Sequence, residues 1–86
     1  MLDLKELRDK IDIVDDKILE LLNERMAYVK IIGEIKKNHN KEIYYPKREK
    51  EILDRLKNKN LKNLDHDAIE LIYDKIFAVA RTLERF

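Results

Sequence analysis

From Asp3 to about Asn38 apolar residues recur at three- and four-residue steps: Leu4, Leu7, Ile11, Val14, Ile18, Leu21 or Leu22, Met26, Val29 and Ile32. That period predicts one long amphipathic helix. Asp3, with Glu6 three residues later, has the form of an acidic N-cap. At 1.5 Å per residue the helix is a rod about 50 Å long. The rest of the chain, folded on one side, cannot cover so long a rod. Gly33 lies inside it at a cost of roughly 1 kcal/mol relative to alanine, and close approach of another backbone would account for its use.

Beyond Asn38 the pattern breaks. Asn38-His39-Asn40-Lys41-Glu42 reads as a polar connection, and Ile43-Tyr44-Tyr45 leads into Pro46. Proline favours the first helical position, which puts Tyr45 at the cap and starts a second helix at Pro46, with Ile52, Leu53 and Leu56 on its apolar face. The run Lys57 to Asn63 loses periodicity and ends that helix. Asp65 suits the cap of a third helix, whose stripe carries Ile69, Ile72 or Tyr73, Ile76 or Phe77, Ala80, Leu83 and Glu84. The expectation is an all-α fold of three helices, a single domain over 1–86, with no internal repeat and no linker long enough to separate domains.

Composition narrows the function classes. The chain has 86 residues, 44% hydrophobic and 43% charged, and a lone domain of that size buries only about 60% of its unfolded surface. Self-association would complete such a core. The formal net charge of +1 and the interspersed acids argue against a nucleic-acid binder. The absence of cysteine removes disulfides and thiolate metal sites, and two isolated histidines make a poor metal set, so no metal is expected. Charges interrupt each apolar run well short of a membrane span, and no secretory signal is visible. A cytoplasmic protein is the expectation.

The chemistry begins with cations placed where core is due. Arg25 and Lys36 are eleven residues apart, nearly in register on one helix face, and apolar residues flank both. A cation turned inward needs an anionic partner, because its desolvation otherwise costs several kcal/mol. The stripe of the third helix brings Glu84 into line with Tyr73, Phe77 and Ala80. If protonated, it can donate a hydrogen bond to a ligand oxygen; alternatively it frays into solvent beside Arg85. Arg48 and Glu49 open the second helix, where an arginine can grip a carboxylate and a glutamate can accept from a hydroxyl; a solvated surface pair explains them equally well. Arg8 lies about 25 Å from Arg25 along the rod, too far for one small ligand to span. An antiparallel second subunit would bring its own Arg8 to that region. A long coiled-coil adaptor with Arg25 and Lys36 reaching out to water is the competing account of the first helix.

Leu7-Arg8-Asp9-Lys10-Ile11, then Asp15, Leu21-Leu22-Asn23-Glu24-Arg25, Gly33 to Lys36 and Pro46 to Glu49, in this order and spacing, resemble the all-helical (AroQ-class) chorismate mutases. The resemblance runs over nearly the whole chain. It implies an intertwined homodimer that rearranges chorismate to prephenate with no cofactor and no metal. It also implies that Arg25 and the Arg8 contributed across subunits hold the two substrate carboxylates, while Lys36 binds the ether oxygen and a carboxylate. Arg48 would lie near the carboxylates, Glu49 would accept from the ring hydroxyl, Tyr45 would offer a backbone N–H, and Glu84 would face the ether oxygen. The catalytic group is thus Lys36, Glu84 and Arg25. Ala80 stands where many family members carry serine, which removes a secondary polar contact. Glu84 stands where some carry glutamine, so it must bear a proton to donate. An isochorismate pyruvate lyase, of the same broad fold, and a non-catalytic helical dimerisation protein are the alternatives.

Overall fold

A computed structural model describes residues 3–39 and 45–84. Three helices follow in order: α1 over Leu4–Asn38, α2 over Pro46–Lys57 and α3 over His66–Glu84. Among the described residues there is no strand. The connection from Asn40 to Tyr44 and the neighbour Arg85 lie outside the described residues.

Each boundary has a local cause. Asp3 is extended, and its side chain accepts from the Glu6 N–H at 2.8 Å, satisfying one of the helix's orphan donors. Tyr45 precedes Pro46 at the start of α2 as the cap residue without a side-chain capping bond. Its carbonyl instead accepts from Arg48 and Glu49 N–H. After α2 the chain turns at Asn60, which adopts φ 52°, a left-handed conformation that asparagine tolerates better than most residues. Asp65 then accepts from Ala68 N–H at 2.8 Å and starts α3. His66 occupies the first turn of α3, with its Nε2 3.1 Å from the Lys57 carbonyl oxygen.

α3 is the central element, packing against α1 on one side and α2 on the other. Among the described residues the buried side chains are Val29, Ile52, Ile69 and Phe77, drawn from all three helices. Tyr73 meets Phe77 edge to face at 5.7 Å between ring centroids; Phe77 is buried, Tyr73 and Ile76 are half-buried, and Ile72 is exposed. The apolar stripe of α1 is covered only around its C-terminal half: Leu22 and Met26 are half-buried and Val29 is buried, whereas Leu4, Leu7, Ile11, Val14 and Ile18 remain exposed, as does Ile32 at the cleft. The chain measures 57 × 24 × 15 Å, its long dimension set by the α1 rod.

Candidate functional site

Where α1 and α3 meet the first turn of α2, the chain forms a cleft of about 430 Å³. α1 contributes Arg25, Tyr28, Val29, Ile32 and Lys36; the start of α2 contributes Tyr45, Arg48, Glu49 and Ile52; α3 contributes Phe77, Ala80, Arg81 and Glu84. Six of the seven site residues expected from the sequence therefore converge. The exception is Arg8, which sits exposed on the uncovered half of α1, away from the cleft.

Helical register explains the convergence on α1. Arg25, Val29, Ile32 and Lys36 repeat at four, three and four residues and so share the face turned to α3. Arg25 Nη1 is buried and makes no hydrogen bond. Its guanidinium carbon lies 6.0 Å from the Tyr73 ring centroid and 5.9 Å from that of Phe77, so rings form its floor at the outer limit of cation–π range. A buried donor with no acceptor is costly and uncommon. The arrangement is that of a cation held ready for an acceptor from outside the chain, and it disagrees with the coiled-coil account in which this head extends to water.

Lys36 and Glu84 face each other across the α1–α3 contact, with Nζ 3.3 Å from Oε2 and 3.4 Å from Oε1. Their side chains are only 18% and 11% exposed. Glu84, at the end of α3, is thus directed inward rather than frayed into solvent. Gly33 makes this possible. A Cβ built there would lie 3.0 Å from the Glu84 Cα and 3.2 Å from its carbonyl oxygen, so the bare backbone lets the last turn of α3 settle on α1. The close approach expected of Gly33 is present, and its neighbour is the backbone that carries Glu84. Lys36 Nζ also stands 6.0 Å from the Tyr45 ring centroid.

Glu49 and Arg48 take different environments despite their adjacency. Arg48 is exposed, its guanidinium 3.6 Å from Glu51. Glu49 turns into the cleft and is gripped by Arg81 through both oxygens: Arg81 Nε donates to Oε2 at 3.0 Å and Nη2 to Oε1 at 2.8 Å. Periodicity alone did not mark Arg81 as functional. The available signal was its position four residues after Phe77 and therefore on the same face of α3.

Among the described residues the cleft is lined by four cations, Arg25, Lys36, Arg48 and Arg81, and by two carboxylates, Glu49 and Glu84. Apolar walls of Val29, Ile32, Ile52 and Phe77 lower the local dielectric and strengthen whatever those cations bind. A second cleft, of about 450 Å³, lies along the α2–α3 connection, but its polar side chains serve local structure. Asp65 caps α3, His66 contacts the Lys57 carbonyl and Lys57 pairs with Glu70. The α1–α3 cleft is therefore the candidate site. What it can do chemically is hold a small dianion and stabilise charge developing near Lys36. Among the described residues no group of side chains suits a metal ion.

Comparison with known proteins gives the family. Residues 7–85 match the family model described as chorismate mutase type II. The chain is 40% identical over 89 residues to a bifunctional chorismate mutase/prephenate dehydratase of Aquifex aeolicus, a match covering 99% of this chain and 25% of that protein. It is 43% identical over 76 residues to a chorismate mutase of Methanocaldococcus jannaschii, covering 88% and 74% respectively. The chain thus spans about a quarter of the bifunctional relative. Its fold superimposes on the crystal structure of chorismate mutase from Helicobacter pylori in complex with prephenate, with a TM-score of 0.90, 34% identity, and coverage of 95% of this chain and 89% of that one.

Proposed function

This chain belongs to the type II chorismate mutase family, and from that premise we propose that it rearranges chorismate to prephenate in the α1–α3 cleft. The observation that carries the reading is Arg25 Nη1, a buried cationic donor without an acceptor, set in a cleft whose described lining has more cations than carboxylates. Chorismate carries two carboxylates, which suit such a lining.

The reaction is an intramolecular Claisen rearrangement. The ether carbon–oxygen bond breaks as the new carbon–carbon bond forms, and no proton or electron enters or leaves. The protein therefore needs neither a general base nor a nucleophile. Its tasks are to hold the diaxial conformer, in which the reacting carbons are near each other, and to stabilise negative charge growing on the ether oxygen. Arg25 holds one carboxylate, with Arg48 at the mouth of the cleft beside it. Lys36 serves the ether oxygen and a carboxylate, while a protonated Glu84 donates to the same ether oxygen. Glu49 accepts from the ring hydroxyl, and the Tyr45 backbone N–H closes the polar rim. Contacts at the ether oxygen tighten as charge develops there, so they lower the barrier rather than merely improving binding.

The assembly is an intertwined homodimer. Its support is the row Leu4, Leu7, Ile11, Val14 and Ile18, exposed along the half of α1 that α2 and α3 do not reach. Each such side chain gains about 1.5–3 kcal/mol when fully buried. An antiparallel second α1 covers this row and carries its Arg8 to the substrate's other carboxylate.

Incubating the purified protein separately with chorismate and isochorismate tests the reaction. Prephenate from chorismate is the expected product. Pyruvate released from isochorismate, with no prephenate, would instead identify a lyase, and no turnover of either would leave only a dimerisation role.

A further inference from the structure

Arg81 belongs to no part of the chemistry assigned so far, yet its guanidinium grips Glu49 across the gap between α3 and α2. We infer that Arg81 is a positioning residue that fixes the Glu49 carboxylate as acceptor for the substrate's ring hydroxyl. The inference rests on the role of Glu49 proposed above and names what makes that role possible in this chain.

A glutamate in the first turn of a helix is free to point into solvent or back toward its own N-terminal N–H groups. Glu49 does neither, because two parallel bonds of 3.0 and 2.8 Å set the position and the plane of its carboxylate. Such a fork is the geometry arginine forms with a carboxylate and lysine cannot reproduce. The Glu49 side chain is only 20% exposed, so the pairing is partly shielded from water. A carboxylate offers about four acceptor sites. Arg81 occupies two, and one of the others remains for a hydroxyl. The charge matters as much as the geometry. A bare carboxylate in a cleft that takes a dianion would repel its ligand, and Arg81 compensates it.

A kinetic double-mutant cycle tests this, with Arg81→Met, Glu49→Ala and the double variant assayed on chorismate well below each melting temperature. Arg81→Met should lower kcat/KM roughly tenfold when Glu49 is present and by less than about twofold when it is alanine. Arg81→Lys should retain part of the loss, because an ammonium holds one oxygen but not the plane. If Arg81→Met does not fold, Arg81→Lys in the two backgrounds carries the same comparison. Equal losses in both backgrounds would overturn the inference and make Arg81 a direct ligand or a purely structural residue, as would no loss in either. A harmless Glu49→Ala overturns the inference together with the assignment of Glu49, and an inactive unmodified protein overturns the reaction itself. Those results are distinguishable from a cycle that merely fails to couple.

Discussion

Lys36 and Glu84 meet at 3.3 Å with side chains largely shielded from water, and both line the same cleft. In the proposed reaction Lys36 acts chiefly on the transition state. We predict that Lys36→Ala lowers kcat by at least about 100-fold while substrate affinity weakens far less. Single-turnover rates and equilibrium binding decide this, and a variant that loses binding but keeps turnover would remove Lys36 from catalysis. Glu84→Gln puts an amide donor in place of the carboxyl and should keep most of kcat, whereas Glu84→Leu, which donates nothing, should lower it roughly tenfold. Equal rates for the two variants would remove Glu84 from the ether oxygen. Much of the cleft was legible at this scale because Arg25, Lys36 and Glu84 violate the apolar period of their helices, and a violated period is visible in one dimension. Arg81 was not, because its meaning lies in a contact with Glu49, thirty-two residues away.

At the scale of elements, the three helices and their boundaries follow from caps and periodicity. The sequence predicts caps at Asp3, Tyr45 and Asp65, and the helices begin immediately after each of them. What periodicity left open was which of two adjacent apolar residues turns inward. Packing buried Phe77 more fully than Ile76 and Tyr73 more than Ile72, and both rings lie about 6 Å from the Arg25 guanidinium. The α1–α3 contact is set by Gly33. Alanine there gains about 1 kcal/mol in helix propensity but presses a methyl on the Glu84 backbone, an overpacking cost of about 1–3 kcal/mol. The two nearly cancel, so Gly33→Ala should change unfolding free energy by less than about 2 kcal/mol. It should nevertheless displace Glu84 from Lys36 and lower kcat by about tenfold. Denaturant melts alongside kcat would check both halves, and an unaltered kcat would show that the contact does not position the pair.

For the whole molecule, the central fact is imbalance. α1 is far longer than what α2 and α3 cover, and among the described residues one chain buries only the side chains of Val29, Ile52, Ile69 and Phe77. The proposed dimer resolves the imbalance and completes each cleft with an arginine from the other subunit. Arg8→Ala and Arg25→Ala should each be nearly inactive alone, since each removes a ligand for one carboxylate. Co-refolded in equal amounts, they should recover about a quarter of wild-type activity, because half the dimers are mixed and one of their two sites is intact. Light scattering on the same samples gives the mass. Failure to recover activity in verified mixed dimers would place both arginines in sites that are not shared. Among the described residues no helix is long and apolar enough to cross a membrane.

Local order was written along the chain: where each helix starts, which face is apolar, and which ionisable groups break that face. These depend on neighbours within a turn or two, where bonding and sterics act over short sequence distances. Other features were decided only by packing in three dimensions, among them the grip of Arg81 on Glu49, the choice of Phe77 over Ile76, and the seating of the Glu84 backbone on Gly33. Those contacts arise between segments distant in sequence, and their geometry depends on how α3 settles between its two neighbours.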